Sequence, residues 1–287
     1  MTKKLAQYDD KYAVIGNPIA HSKSPEIHTM FAEQFKDQPA GDMVYKDRVL
    51  APLDGFTATV ERLRKEGYKG CNVTVPFKEH AFQLSITGVT ISHSENVDNA
   101  KAANTLKFSG NKIEVENTDG VGLVRDLEQN LSVDLTGKRL LLMGAGGAAK
   151  GVLWPLRRAL LQAKANITIT NRTVDRIRHL ARRNISVCSY EELAGKSFDI
   201  VINATSAGLS DEMPPLPPGI FAPGALAYDM MYGKETPFMK FALSQGVSKD
   251  RVVDGLGMLV EQAAEAFSIW RGVRPDTAPV LAKLRAP

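Results

Sequence analysis

A chain of 287 residues, 44% hydrophobic and 24% charged, is long for one domain, comfortable for two, and able to bury a core without disulfides or metals. Its formal net charge of +4 is not gathered in one block, so it gives no sign of a nucleic-acid partner and suits a small anionic ligand. Cys71 and Cys188 make neither a disulfide framework nor a zinc cluster, no apolar run approaches the ~20 residues of a bilayer helix, and the N-terminus has no apolar signal core, so a cytoplasmic protein is expected.

Lys11 to Gly16 reads as a strand. Ser24-Pro25-Glu26 then opens a helix, with Ser24 as its cap and Pro25 in its first turn. A strand from Met43 to Val49 and a helix with Phe56, Val60 and Leu63 on one face follow. Cys71 to Val75 is a further strand, stopped by Pro76. This order predicts an α/β domain of mostly parallel strands. Ser85 to Asn99 is polar and carries no clear period, while Thr105 to Asn117 reads as a hairpin turning at Gly110-Asn111.

Near Asn117 the pattern restarts. Asp119-Gly120 leads into a helix, and Arg139 to Gly147 is an apolar strand running into glycines. The strand candidates Asn166–Asn171, Phe198–Asn203, Ala225–Met230 and Arg251–Asp254 complete the alternation of a doubly wound α/β unit. Asp211 to Gly224 holds five prolines and reads as a surface loop. After Gly255, Leu256, Leu259, Val260, Ala263, Ala264 and Phe267 form a helical stripe that could return to the first domain. Trp154 and Trp270 sit in helical apolar patterns and read as core.

The segment Gly144-Ala145-Gly146-Gly147-Ala148-Ala149 fits G-x-G-x-x-A between a strand and a helix. Its backbone N–H groups and the helix N-terminus suit a pyrophosphate. At the end of the second strand an NAD site usually carries a carboxylate. This chain has Asn171-Arg172-Thr173 with Arg176 close by, and guanidinium groups suit a 2′-phosphate, so the pattern points to NADP. By themselves Lys78 reads as a solvated lysine at a helix start and Asp119 as a helix cap. Ser24, Thr74 and Asn104 read equally well as cap, strand and turn residues, and Gln262 as a boundary residue beside the apolar stripe. No histidine stands at metal-ligand spacing, and no metal is expected.

The motifs converge on one family. GNPIAHSKSP (from Gly16), NVTVPFK (from Asn72), AANTL (from Ala102), NTDG (from Asn117), GAGGA, TNRT, INAT, YDMMY (from Tyr228) and DGLGMLVEQAA (from Asp254) occur in order. With these, the chain resembles shikimate dehydrogenase along nearly its whole length. The resemblance implies reversible NADPH-dependent reduction of 3-dehydroshikimate to shikimate, with Lys78 as catalytic lysine and Asp119 as its partner. It implies substrate contacts from Ser22, Ser24, Thr74, Asn104, Tyr232 and Gln262. It implies cofactor contacts from Gly144, Ala145, Gly146, Gly147, Ala148, Asn171, Arg172, Thr173, Arg176, Met230 and Gly255, with Glu95 near the nicotinamide end. Two departures, ENVDNAKA before AANTL and Glu116 before NTDG, touch loop geometry rather than a reacting group.

The expected architecture is two α/β domains: a substrate domain over 1–118 completed by 255–287, and a Rossmann-like NADP domain over 119–254, with the active site in the cleft between them. The partner is the small-molecule substrate, with no nucleic acid and no membrane, in a monomer or homodimer. Competing readings are a quinate/shikimate dehydrogenase with dual cofactor use, a dehydrogenase of another small carbonyl, and a non-catalytic NADPH-binding regulator.

Overall fold

The structure, a computed structural model, describes residues 10–205, 207 and 212–286. The backbone divides into two compact units. The first runs to Gly122 and resumes from Val260, and the second spans Leu123–Leu259. The crossings therefore fall at Gly122/Leu123 and Leu259/Val260 rather than at 118/119 and 254/255, and Asp119 stands in the first unit.

In the first unit, β1 (Asp10–Gly16) pairs in parallel with β2 (Met43–Leu50) and β3 (Tyr68–Val73). Buried on both faces, β1 is a near-continuous apolar run. The helices α1 (Ser24–Gln34) and α2 (Phe56–Lys65) follow β1 and β2. Ser24 is the first residue of α1 and not its cap: Lys23 holds that position, and the Ser22 hydroxyl accepts from the Ser24 N–H at 3.3 Å. The strand expected at Cys71–Val75 starts at Tyr68 and ends at Val73, because the Phe77 N–H turns back to the Thr74 carbonyl at 2.9 Å. That turn leads into the short helix α3 (Lys78–Phe82).

Ser85 to Asn99, unassigned from pattern, contains β4 (Thr90–His93) and the start of α4 (Glu95–Ala100). The hairpin forms as expected from β5 (Thr105–Ser109) and β6 (Lys112–Glu116), with Gly110 at a φ of 61° in the turn. The sheet order is β2-β1-β3-β5-β6-β4, with β5 antiparallel to β3 and β6.

From Val260 the helix α8 (Leu256–Arg271) belongs to this unit. Trp270 donates from Nε1 to the Leu106 carbonyl at 3.0 Å, and Lys107 reaches the Ile269 carbonyl at 3.0 Å. Arg271 bonds the Asp10 carboxylate and the carbonyls of Pro39, Ala40 and Asp42. These bonds cap the end of α8 with the start of the sheet.

In the second unit, β7 (Arg139–Met143), β8 (Asn166–Thr170), β9 (Ile185–Cys188), β10 (Phe198–Asn203), β11 (Phe221–Asp229) and β12 (Val252–Val253) are all parallel. Their order, β12-β11-β10-β7-β8-β9, is that of a doubly wound dinucleotide-binding sheet. The long α6 (Gly147–Gln162) follows β7, and α7 (Pro237–Ser244) follows β11. Between β8 and β9 the chain makes only two 3₁₀ turns, Val174–Arg176 and Arg178–Leu180. The proline-rich stretch enters β11 at Phe221, and its Asp211 lies outside the described residues. Trp270 is core, but Trp154 is only half-buried, with the Arg157 and Arg182 guanidinium groups against its ring at 5.4 and 4.8 Å.

Asp126 is a buried carboxylate of this unit. It accepts from the Tyr228 hydroxyl at 2.6 Å and from Asn130 Nδ2 at 2.9 Å. A Cβ at Gly257 would collide with Asp126 Oδ1, which explains a glycine inside the first turn of α8.

His28 of α1 is fully buried in the first unit, stacked on Tyr45 with ring centroids 4.5 Å apart. Burial lowers its pKa from 6.5 to about 3. The unfolded chain therefore binds the proton first, so this contribution is complete above pH 6.5 and is lost as pH falls towards 3. The slope reaches about 1.4 kcal/mol per pH unit inside that window. His28→Phe keeps the stack and is expected to flatten the acid-side fall of the urea midpoint between these pH values. An unchanged slope would show that His28 does not carry this linkage.

Candidate active site

Two chain reversals bring the candidate catalytic groups together inside the first unit. The turn after β3 delivers Lys78 as the first residue of α3, and the Ala103 N–H donates to its carbonyl at 2.8 Å. The turn after β6 delivers Asp119 as the first residue of α5 (Asp119–Arg125). Asp119 is not a helix cap. Its own N–H is taken by Asn117 Oδ1 at 3.1 Å, and its carboxylate faces Lys78 and Asn104.

Lys78 Nζ donates to Asp119 Oδ2 at 2.6 Å, with side chains 18% and 5% exposed. The ammonium thus keeps an opening to solvent while its partner is buried. Asn104 Nδ2 donates to Asp119 Oδ1 at 2.9 Å, leaving each carboxylate oxygen with a named donor. The same nitrogen stands 2.9 Å from Thr118 Oγ1 and 3.1 Å from Gln262 Oε1. Asn104 Oδ1 accepts from the Thr118 N–H at 2.9 Å. An amide nitrogen has two hydrogens and cannot serve all three acceptors, and the Thr118 hydroxyl, 3.3 Å from Gln262 Oε1, can donate there instead.

Beneath the cluster lies a second layer that sequence reading missed. Asn72 Oδ1 accepts from the Tyr45 hydroxyl at 2.8 Å and faces His28 Nε2 at 3.2 Å. Asn72 Nδ2 donates to the Asn104 carbonyl at 3.2 Å and to Thr105 Oγ1 at 3.1 Å. Asn72 is inside NVTVPFK, but nothing in a strand-like pattern marks which polar residue turns inward to satisfy buried partners.

Ser22 and Ser24 lie in and after the β1–α1 loop, half-buried and buried, and Thr74 is half-buried at the end of β3, its N–H on the Ile15 carbonyl at 2.9 Å. Glu95 is exposed at the start of α4, at the β4 edge of the sheet. Glu116 is held above the usual carboxylate range, chiefly by burial.

The second unit holds the dinucleotide candidates. Gly144 sits at a φ of 114°, and an added Cβ would lie 3.0 Å from the Ala204 carbonyl oxygen. Only glycine fits there. Gly146 precedes α6 with no side-chain cap, and a Cβ on it would meet open space. Ala145, Gly147 and Ala148 complete the turn and open α6. Asn171 Nδ2 closes the next turn onto the Thr173 carbonyl at 2.9 Å, with Arg172 and Arg176 exposed around it.

Met230 and Tyr232 follow β11, on a loop fixed by the buried Asp229. Asp229 accepts from Asn203 Nδ2 at 3.0 Å, from the Thr236 hydroxyl at 2.6 Å and from the Met231 N–H at 2.9 Å. Gly255 packs against the Met230 carbonyl so closely that a Cβ would collide with it. Burial raises the Tyr232 pKa, which keeps its hydroxyl protonated and a donor. Among the described residues no cluster of three or more His, Cys, Asp or Glu side chains is placed to hold a metal ion, and no helix is long and apolar enough to cross a membrane.

Comparison with known proteins agrees with this geometry. The family model described as shikimate dehydrogenase substrate binding domain matches residues 14–106, that of shikimate / quinate 5-dehydrogenase residues 126–210, and that of the shikimate 5'-dehydrogenase C-terminal domain residues 255–285. The chain is 54% identical over 283 residues to shikimate dehydrogenase (NADP(+)) of Methylobacillus flagellatus, covering 96% of this chain and 99% of that protein. It is similar to the crystal structure of an Ael1 enzyme from Pseudomonas putida, with a TM-score of 0.84, 47% identity and coverage of 97% and 99%. It is also similar to the Thermus thermophilus shikimate 5-dehydrogenase solved with NADP(H) and shikimate, with a TM-score of 0.79, 28% identity and coverage of 96% and 98%. With the ammonium–carboxylate pair in one unit and the glycine-rich turn in a doubly wound sheet, this similarity over both units establishes that the chain belongs to the shikimate dehydrogenase family.

Proposed function

We propose that this chain reversibly reduces 3-dehydroshikimate to shikimate with NADPH, and that Lys78 and Asp119 carry the proton chemistry. The observation behind this reading is the 2.6 Å bond from a partly solvent-open ammonium to a buried carboxylate whose second oxygen is held by Asn104.

Reduction of the ketone places negative charge on its oxygen. Lys78 is a compact charge that can stabilise this oxygen and give it a proton. Asp119 accepts from Lys78 and keeps the ammonium oriented, while its buried position limits competition from water. Asn104, Thr118 and Gln262 form a fixed array that can satisfy ring hydroxyls, and such sites reject analogues lacking them. Ser22 and Ser24 are assigned to the carboxylate end, Thr74 to a hydroxyl, and Tyr232 to the substrate as the family resemblance implies.

The glycine turn fits a dinucleotide. Gly144 permits a backbone that no other residue takes without strain, and the uncapped start of α6 offers free N–H groups to a pyrophosphate. Gly144 to Ala148 would hold the phosphates, Asn171 to Arg176 the 2′-phosphate, and Met230 and Gly255 the nicotinamide end, with Glu95 a further candidate there. When bound, NADPH supplies the hydride.

The test is an absorbance assay at the nicotinamide band with shikimate plus NADP, run beside quinate and NAD. Turnover is expected with the first pair and at most weak turnover with the others. Comparable rates with quinate would favour the broader activity named by one of the matching family models. No turnover with any pair would leave a cofactor-binding regulator. The family's place in aromatic amino-acid synthesis supports a cytoplasmic enzyme; size-exclusion chromatography distinguishes monomer from homodimer.

A further inference from the structure

The carboxylate end of the site, as assigned above, is built from neutral hydroxyls. Hydroxyls can donate to a carboxylate but leave its charge uncompensated, whereas a guanidinium supplies both the opposite charge and two parallel donors. A cation is fixed close by. Arg48, on β2, donates from Nε to the Ser22 carbonyl at 2.9 Å, across 26 residues of sequence. Among the described residues it makes no ion pair, and its two terminal nitrogens have no partner. Its side chain is exposed, although Glu26 of α1 lines the same groove beside Pro25 and Tyr45. Pro25, which follows Ser24, and Tyr45 line one groove with Arg48. Arg48 is thus tied to the backbone of one serine and shares a groove with the residue after the other, its donor fork unspent.

We propose that Arg48 is a specificity-determining residue that supplies the positive charge for the substrate's carboxylate at the Ser22–Ser24 loop. The inference rests on the functional reading above. A guanidinium held at Nε has little freedom left to lose, and its terminal nitrogens match a carboxylate in a plane. Lys23, between the two serines, is a cation whose side chain has no hydrogen bond or ion pair among the described residues, and it serves as the comparison.

The experiment compares shikimate with methyl shikimate, which keeps the ring and hydroxyls but lacks the charge. In Arg48→Gln the KM for shikimate is expected to rise about tenfold, the magnitude of one lost charge-assisted bond. The kcat and the KM for NADP stay within about twofold. The affinity for methyl shikimate, as substrate or as competitive inhibitor, should be the same in wild type and variant. Arg48→Lys should recover part of the loss, and Lys23→Gln should resemble wild type.

An equal loss on both ligands would make Arg48 a mere clamp of the loop and overturn the proposal. So would an unchanged KM for shikimate, or a carboxylate-dependent loss in Lys23→Gln instead. The functional reading is judged separately, by wild-type turnover of shikimate. If wild type is active and Arg48→Gln matches it on both ligands, only the Arg48 inference falls. If wild type is inert, both fall.

Discussion

Lys78→Ala is expected to lower kcat for shikimate oxidation by ~10²–10⁴, the usual worth of positioned acid–base help and equivalent to about 3–5 kcal/mol of barrier. The KM should change little, because the ammonium acts on charge that develops as the bond to hydrogen is made or broken. The geometry makes this variant informative. Asp119 keeps Asn104 as a partner when Lys78 is gone, so the carboxylate loses one of its two side-chain donors and keeps the other. Lys78 itself is 18% exposed, so its removal opens no sealed cavity. Circular dichroism and thermal unfolding should therefore match wild type. Near-normal kcat would exclude the role. A large rise in KM with kcat retained would make Lys78 a binding group only.

The second large effect concerns the cofactor. Replacing both Arg172 and Arg176 by alanine is expected to raise the KM for NADP by about 10²–10⁴-fold, at roughly 1.5–3 kcal/mol for each charge-assisted contact. The KM for NAD should change by no more than about twofold, because NAD lacks the 2′-phosphate. Both arginines are exposed on a turn that Asn171 closes through its bond to the Thr173 carbonyl. Two 3₁₀ turns, rather than a packed helix, follow β8, so the substitutions remove charge without emptying the core. The NADP effect should shrink as salt is raised, since exposed charges are screened. A parallel loss for NAD would mean that these arginines shape the loop instead of reading the phosphate.

Much of the molecule was legible without coordinates, where local chemistry sets the outcome. The apolar run of β7 ending in glycines, the Gly110 turn and the alternation of strands with helices follow from burial and backbone sterics within a few residues. The cap assigned to Ser24 failed because the helix starts one residue earlier than that: Ser24 is already its first residue, Lys23 holds the cap position, and the Ile27 N–H bonds the Lys23 carbonyl. The strand ending at Val75 failed because the Thr74 carbonyl is claimed by a turn. Such competition between nearby donors decides element ends, and a periodicity argument has no access to it.

The sequence by itself determined most of the element order, the glycine-rich turn that opens α6, the two arginines that follow β8, and the family. It did so because these depend on residue types at short, fixed spacing. Only tertiary structure decided that Lys78 and Asp119, 41 residues apart, share a 2.6 Å bond, that Asn104 braces the far oxygen, and that Asn72, Tyr45 and His28 support that arrangement from below. Each of those residues also has an ordinary local role open to it. Buried polar groups must find partners wherever the packed chain brings them, and that choice is made by sheet order rather than by neighbours in sequence.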